Sequence, residues 1–377
     1  MMFNTKFKTV AIEYGMGTQA ISEFPLRVEM ENFQAKRFSG IGFGLDALLA
    51  RLASEGEALE RATWRYGALW NSAVLSYKSP FLPDEVKVLF TKKEQEEMHS
   101  LPSVAYKAWS SEGEALMIPS VLLFFYPKRK QFGEQHAVTT GWAFHSSKSE
   151  ALAQAYREVI ERDLQMLFWH DRLGDYLSCV SSSRKNKWLS SYGGKVESRA
   201  KIYLLEMPLK LHSSIHTDAW FSLVFIVNDE APYLSIGSAV KASAHKAFET
   251  AMGEMMMLRS YQYEMILTGE KNSDEFNYKS HVSKATYEDK SQKRVKKLIA
   301  NLKGNKENIL DYSEHAYQVV YLDPPPQTRE GVVAKVWVDR TQGMVPAGFQ
   351  YKVCEHWQTF WQVSQASWEA NAWHPYP

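Results

Sequence analysis

Cysteine is almost absent from this chain. Cys179 and Cys354 are the only two in 377 residues, far apart and without C-x-x-C spacing. That argues against a disulfide framework or a zinc ribbon and suits a reducing compartment. Long apolar runs are missing too. The run Val121-Leu-Leu-Phe-Phe-Tyr126 is far too short for a bilayer, and Met1-Met-Phe-Asn-Thr-Lys-Phe-Lys8 lacks the apolar centre of a signal peptide. Nor is there an excess of charge: 44 Lys and Arg against 43 Asp and Glu leave a net +1. A dedicated nucleic-acid binder usually shows a basic surplus. Neither a Walker A sequence nor a kinase glycine loop is present, so a nucleotide site must be built another way. The expectation is a soluble, cytoplasmic chain with no nucleic acid and no membrane as partner. Its 45% hydrophobic content is ample for a large core in one or two domains.

Helical and strand-like patterns alternate, which predicts a mixed α and β fold. Helices are expected at about 45–66, 149–172 and 241–266. In the first, Leu45, Leu48, Leu52 and Leu59 gather on one side, the expected core face, with Ser54, Glu57 and Arg61 turned away. In the second, Leu152, Tyr156, Val159, Ile160 and Leu167 form the apolar stripe opposite Glu158, Glu161 and Arg162. Phe248, Met252, Met255 and Met256 make the buried face of the third, opposite Glu254. Segments rich in β-branched and aromatic residues predict strands at Ile118–Tyr126, Ala200–Leu205, Trp220–Val227, Tyr317–Leu322 and Val332–Val338. The polar stretch 270–308 carries Lys290, Lys293, Arg294, Lys296, Lys297, Lys303 and Lys306. It reads as a solvated surface helix, or more sharply as a docking face for an acidic partner.

One pattern occurs twice. Glu57, Glu60 and Arg61 spell E-x-x-E-R, and so do Glu158, Glu161 and Arg162. On a helix these residues fall at i, i+3 and i+4, hence on one face. A single copy is an ordinary i, i+4 pair worth a few tenths of a kcal/mol. Two such faces meeting across a cavity would supply four carboxylates and two guanidiniums. The third helix adds Glu254 and Arg259 in a comparable place. Converging carboxylates repel one another unless a cation sits between them. Di-iron bundles need Glu-x-x-His, and neither repeat has the His. All-oxygen ligands favour Mg2+ held with a substrate phosphate, and Arg61, Arg162 and Arg259 suit phosphate oxygens. From chemistry alone the chain reads as a possible Mg-nucleotide enzyme.

At these residues the chain resembles the YcaO family of ATP-dependent enzymes that modify peptide backbones. The family's S-x-x-E-x-x-E-R is matched by Ser54, Glu57, Glu60 and Arg61, and its E-x-x-E-R by Glu158, Glu161 and Arg162, followed by Asp163 and Phe168-Trp169. Thr140-Gly141-Trp-Ala-Phe-His145 is similar to the lead-in to that second motif. The third motif, E-x-x-Q-x-R, occurs as Glu254-Met-Met-Met257-Leu-Arg259. The end, Trp373-His374-Pro375-Tyr376-Pro377, resembles the Pro-rich C-terminus of azoline-forming members. The likeness runs from about residue 35 to 377.

The resemblance implies an α+β YcaO fold of pseudo-symmetric mixed sheets, with motif-bearing helices enclosing an ATP and Mg2+ site. It implies one YcaO domain over 1–377, with a lead-in to about residue 35, a polar insertion at 270–308 and a catalytic tail at 373–377. Metal ligands would be Glu57, Glu60, Glu158 and Glu161. Nucleotide contacts would come from Ser54, Glu57, Arg61, Glu158, Arg162, Glu254 and Arg259. Arg162 would act in catalysis, and the Pro377 carboxylate as a base. The implied reaction phosphorylates a backbone amide of a ribosomal precursor peptide, turning Cys, Ser or Thr into thiazoline or oxazoline as a microcin-type cyclodehydratase subunit does. Implied partners are that peptide, a leader-binding subunit resembling a ubiquitin-activating enzyme, and a flavin dehydrogenase. Thioamide or amidine formation and a non-catalytic scaffold are the alternatives. Three positions depart from the family pattern: Met257 replaces Gln, Ile41 stands where many members have Lys, and Thr140 where many have Asn.

Overall fold

The computed structural model describes residues 8–14, 17–26, 36–44, 46–76, 103–124, 140–191, 200–269, 278–304, 308–326, 328, 330–342 and 353–370. Its strands and helices begin with β1 (Lys8–Tyr14), β2 (Gly17–Leu26), β3 (Lys36–Gly44), α1 (Ala47–Tyr66), β4 (Val74–Ser76), β5 (Ser103–Ser110), β6 (Ala115–Pro119), β7 (Trp142–His145) and α2 (Lys148–Trp169). There follow β8 (Ser178–Cys179), α3 (Ser182–Ser191), β9 (Lys201–Lys210), β10 (Asp218–Val227), β11 (Leu234–Lys241), α4 (Ala244–Thr268), α5 (Tyr278–Tyr287) and α6 (Asp289–Ala300). Last come β12 (Leu310–Asp311), β13 (Tyr317–Leu322), β14 (Val332–Val338), α7 (Glu355–Thr359) and α8 (Gln365–Ala370). They divide into two compact units, Met1–Val159 with His315–Gly343 and Ile160–Glu314 with Met344–Pro377. Among the described residues no helix is long and apolar enough to cross a membrane.

In the first unit β1, β2 and β3 form an antiparallel sheet in that order, and α1 lies on β3. Asp46 starts the helix by accepting the Leu49 N–H at 2.9 Å. The helix comes so close because β3 is bare where they meet. A Cβ at Gly40 would sit 2.0 Å from the Ser54 carbonyl oxygen, and one at Gly42 2.2 Å from that of Ala50. The facing side of α1 is correspondingly small: Ala50, Ser54, Ala58 and Ala62 are buried. This corrects the expected leucine face. Leu48 is 64% exposed and Leu49 is exposed beside it, while Leu59 is buried; Leu45 lies outside the described residues. Burial here follows backbone approach, which small side chains permit and leucines would block.

The unit's second sheet runs β4-β5-β13-β14-β7, with β6 paired to β5. Leu59, Tyr106, Ile118, Phe124, Phe144, Val333 and Trp337 pack in its core. Strands β13 and β14 have the bounds expected from the sequence. The strand expected at Ile118–Tyr126 is corrected: β6 ends at Pro119, and Ser120–Leu122 turn as a short helix. Pro119 has no N–H for the ladder, which stops the pairing there.

The second unit has a sheet ordered β11-β10-β9-β12, with β8 on β9 and only β12 parallel to its neighbour. Helix α4 covers β11 and β10, and Phe168 packs against Phe225 at 5.4 Å between ring centroids. Here β11–α4 repeats β3–α1 at a constant spacing of 197 residues. The N-caps are Asp46 and Ser243, the first helical residues Ala47 and Ala244, the close-approach glycines Gly40 and Gly237, and the motif acids Glu57 and Glu254. A Cβ at Gly237 would meet the Ala251 carbonyl oxygen at 2.1 Å, as at Gly40. The pseudo-symmetry that the resemblance implies is thus present in the backbone of these two strand–helix pairs.

Within the polar stretch 270–308, the described residues 278–304 form two helices, α5 and α6, where one was expected. Lys290, Lys293 and Lys297 are exposed along one side of α6. Val295 and Leu298 are buried on the other. Arg294 turns inward, donating to the Trp169 carbonyl at 2.6 Å with its guanidinium 4.7 Å over that ring. The C-terminal segment is seated on α2. Trp357 Nε1 and the Tyr312 hydroxyl each donate to buried Asp163 at 2.9 Å, and His170 stacks on Trp368.

Candidate active site

Strands β3, β7 and β11 each form an edge of their sheet among the described residues. An edge strand leaves a row of N–H groups without a ladder partner. The motif carboxylates occupy several of these donors. In the first unit Glu57 Oε2 accepts the Ile41 N–H at 2.6 Å, and Glu60 Oε1 accepts the Phe144 N–H at 2.7 Å. Glu158 Oε2 accepts the Gly141 N–H at 3.2 Å. Gly141 has φ +79°, and a Cβ there would lie 2.4 Å from the Val336 carbonyl oxygen, so the turn that aims this N–H requires glycine.

Arg61 pairs with Glu57 and donates to the Ser39 carbonyl at 2.9 Å. Burial raises the pKa of Glu57, opposed by the Arg61 charge and the Ile41 N–H. Burial raises that of Glu60 well above the carboxylate range, and the charges of Glu158 and Glu57 add to it. These three glutamates therefore crowd one another and resist ionising together. Ser54 faces the sheet: its buried hydroxyl lies 2.6 Å from Ser22 Oγ and bonds the Arg51 carbonyl at 2.9 Å.

The second unit holds the remaining motif residues. Glu161 is buried and accepts the Ser238 hydroxyl at 2.6 Å, the Gln165 amide at 3.3 Å and the Val240 N–H. Glu254 accepts the Ser238 N–H. Burial, then the neighbouring Glu161 charge, pushes the Glu254 carboxyl up to about 8, against the cations of Arg162 and Lys241. Burial raises Glu161 too, opposed first by Arg162. Arg162 donates to Gln165 Oε1 at 3.3 Å. Arg259 is buried and donates to Ser235 Oγ and the Tyr263 hydroxyl, each at 3.1 Å.

So the structure groups Glu57, Glu60, Arg61 and Glu158 in one unit, and Glu161, Arg162 and Glu254 in the other. Pro377 lies outside the described residues. Of the departures, Ile41 contributes its N–H to Glu57, and Thr140 contributes its carbonyl to buried Lys335. Met257 is partly exposed and stands 197 residues after Glu60, so the second unit lacks the second acid of the first. Sequence reasoning missed Ser235, Ser238, Gln165 and Lys241. No motif spacing marks them, and the 197-residue repeat is the signal that could have drawn attention to β11.

Among the described residues no group of three His, Cys, Asp or Glu stands ready to hold a metal ion. Mg2+ is usually bound by one or two carboxylates plus substrate phosphates and keeps several waters. The donors are all oxygen, and desolvation raises the pKa of Glu60 and Glu254, so a cation beside them would favour their ionised forms. The residues present therefore fit Mg2+.

The family model for YcaO cyclodehydratases, described as ATP- and Mg2+-binding, matches residues 41–326. The chain belongs to the YcaO family. ATP and Mg2+ are accordingly its cofactors. Curated protein sequences gave no match. Among solved structures, this YcaO chain is similar to a chain of the E. coli microcin synthetase McbBCD complex with pro-MccB17 bound, at 14% identity and TM-score 0.62, covering 88% of this chain and 87% of that one. It is also similar to YcaO from Methanopyrus kandleri bound with AMPPCP and Mg2+, at 14% identity and TM-score 0.56, covering 89% and 85%. A heterocyclase in complex with substrate and cofactor gives 13% and 0.62, covering 89% of this chain and 50% of that one. At such identities these likenesses establish the YcaO fold.

Proposed function

We propose that this chain is the ATP-dependent cyclodehydratase subunit of a peptide-modifying synthetase. A Cys thiol, or a Ser or Thr hydroxyl, of a ribosomally made precursor gives up its proton to a base, proposed as the Pro377 carboxylate, and adds to the preceding amide carbonyl carbon. The former carbonyl oxygen takes the γ-phosphoryl group of ATP, leaving ADP. It then departs as phosphate while the nitrogen loses its proton and the C=N bond of a thiazoline or oxazoline forms. An amide oxygen leaves poorly and a phosphate leaves well, which is the reason for spending ATP. Bound Mg2+ supplies charge neutralisation at the phosphate oxygens.

Of the chain's own residues, Glu57, Glu60, Glu158 and Glu161 are the proposed metal ligands. Arg61, Arg162, Glu254 and Arg259 are the proposed nucleotide contacts, with Arg162 stabilising charge on the transferring group; the Ser54 hydroxyl, fully buried against Ser22, braces α1 on its sheet instead. The observation that carries the reading is the mutually repelling Glu161–Glu254 pair, fixed by N–H and O–H donors and raised in pKa by desolvation. Such a pair is costly without a cation and becomes useful with one. The proposed partners are the precursor peptide, a leader-binding subunit resembling a ubiquitin-activating enzyme, and a flavin dehydrogenase that oxidises azolines. The similar E. coli protein is part of a synthetase complex with a pro-peptide bound, which supports a multi-subunit setting.

A non-catalytic scaffold is the second reading, favoured by the apolar Met257 and by the engagement of Arg259 with Ser235 and Tyr263. The deciding experiment incubates the purified chain with its precursor, the leader-binding subunit and Mg-ATP, and weighs the peptide. Loss of one water per ring supports the cyclodehydratase. An unchanged mass with nucleotide still bound supports the scaffold, and exchange of oxygen for sulfur would redirect the assignment to thioamide formation.

A further inference from the structure

We infer that Ser238 is a positioning residue for the metal-binding carboxylates, with Gln165 acting through it; the inference rests on the proposed Mg2+ role of Glu161. Ser238 is fully buried on β11 and spends both of its donors on motif acids. Its backbone N–H goes to Glu254, and its hydroxyl goes to Glu161 Oε1 at 2.6 Å. A serine hydroxyl carries one proton, so the direction of that proton is the whole of its effect on Glu161. Gln165 fixes the direction. Its amide Nε2 donates to Ser238 Oγ, which occupies the hydroxyl as an acceptor and leaves the O–H to point at the carboxylate. The same amide lies 3.3 Å from Glu161 Oε1, and Gln165 Oε1 holds Arg162 at 3.3 Å. One serine thereby sets the places of two mutually repelling acids.

The fold does not require this hydroxyl. At the equivalent place 197 residues earlier stands Ile41, whose N–H serves Glu57 just as the Ser238 N–H serves Glu254. The strand-to-helix contact depends on the preceding glycine, Gly40 or Gly237, in both units. What differs is the second donor, which exists only where Glu161 faces β11. A hydrogen bond that the packing does not need, aimed at a proposed metal ligand, is of the kind that tunes metal affinity.

The test uses the full chain. Mg2+ is titrated calorimetrically into protein saturated with AMPPCP, alongside AMPPCP titrated without metal. For Ser238→Ala we expect Mg2+ affinity to fall about 10- to 100-fold, with metal-free AMPPCP affinity close to wild type. Gln165→Met should show part of that loss. The double variant should lose less Mg2+ affinity than the two single losses combined, because part of the Gln165 effect passes through the hydroxyl. Mg2+ affinity in Ser238→Ala within about twofold of wild type would overturn the inference. If Ser238→Ala does not fold, Gln165→Met decides, and wild-type affinity there overturns it equally. A wild-type chain that takes up no Mg2+ with nucleotide would sink the metal reading itself, a different result from wild-type uptake that Ser238→Ala retains.

Discussion

His170→Phe tests how the C-terminal segment is held. The His170 ring is buried, stacked on Trp368 at 5.2 Å with 2° between planes, and meets Trp357 edge-on at 5.9 Å. Neither ring nitrogen has a hydrogen-bond partner among the described residues. Burial, and then the charges of Arg294 and Arg172, lower its pKa from 6.5 to about 4. The native ring therefore stays neutral over a range in which the unfolded chain takes up a proton. Its contribution to stability is complete above pH 6.5 and is lost as pH falls toward 4. At about 1.4 kcal/mol per pH unit, this gap amounts to about 3 kcal/mol. Phenylalanine keeps the stacking and cannot titrate. Denaturant unfolding followed by tryptophan fluorescence, repeated between neutral pH and pH 4, should show wild type losing about 3 kcal/mol relative to His170→Phe. Parallel pH curves for the two proteins would refute the reasoning.

Other perturbations separate packing from chemistry. Asp163→Ala strands the buried donors of Trp357 and Tyr312; it should cost about 2–4 kcal/mol, read as a lowered melting temperature. Gly237→Ala drives a Cβ into the Ala251 carbonyl and should destabilise by about 3 kcal/mol or more. Gly56→Ala, whose Cβ would meet only Phe144 at 3.7 Å, should instead stabilise by about 0.5–1 kcal/mol; a shared sign in thermal melts would contradict the contrast. Glu60→Gln keeps the acceptor for the Phe144 N–H and removes an acid whose pKa is raised in the folded state. That raised pKa costs wild type stability as pH climbs above the unfolded value of 4.5. The variant should therefore be the more stable of the two in metal-free unfolding at neutral pH, yet bind Mg2+ more weakly by calorimetry.

The motif helices were legible because the 3.6-residue spacing of their acids is local. Strands β13 and β14 were legible because valine-rich runs between polar turns have few other solutions. Two things were hidden, and for one reason. Where α1 and α4 press on β3 and β11, the contact is made by Gly, Ala and Ser, so the most deeply packed surface carries little hydrophobic signal. Leu48 was accordingly given to the core and is exposed, while β11, Leu-Ser-Ile-Gly-Ser-Ala-Val-Lys, did not read as a strand. Ser238 and Gln165 were invisible for a further reason. Their partners are 77 and 73 residues away through Glu161 and Ser238, and no spacing rule joins residues so far apart.

The central claim is that the motif acids serve to move the γ-phosphoryl group of ATP onto a peptide amide oxygen. The direct measurement is to label that carbonyl oxygen in the precursor with the heavy isotope and follow it through one turnover. The account predicts that the label leaves the peptide and appears in the released phosphate, ring for ring. Cyclised peptide accompanied by unlabelled phosphate would contradict it.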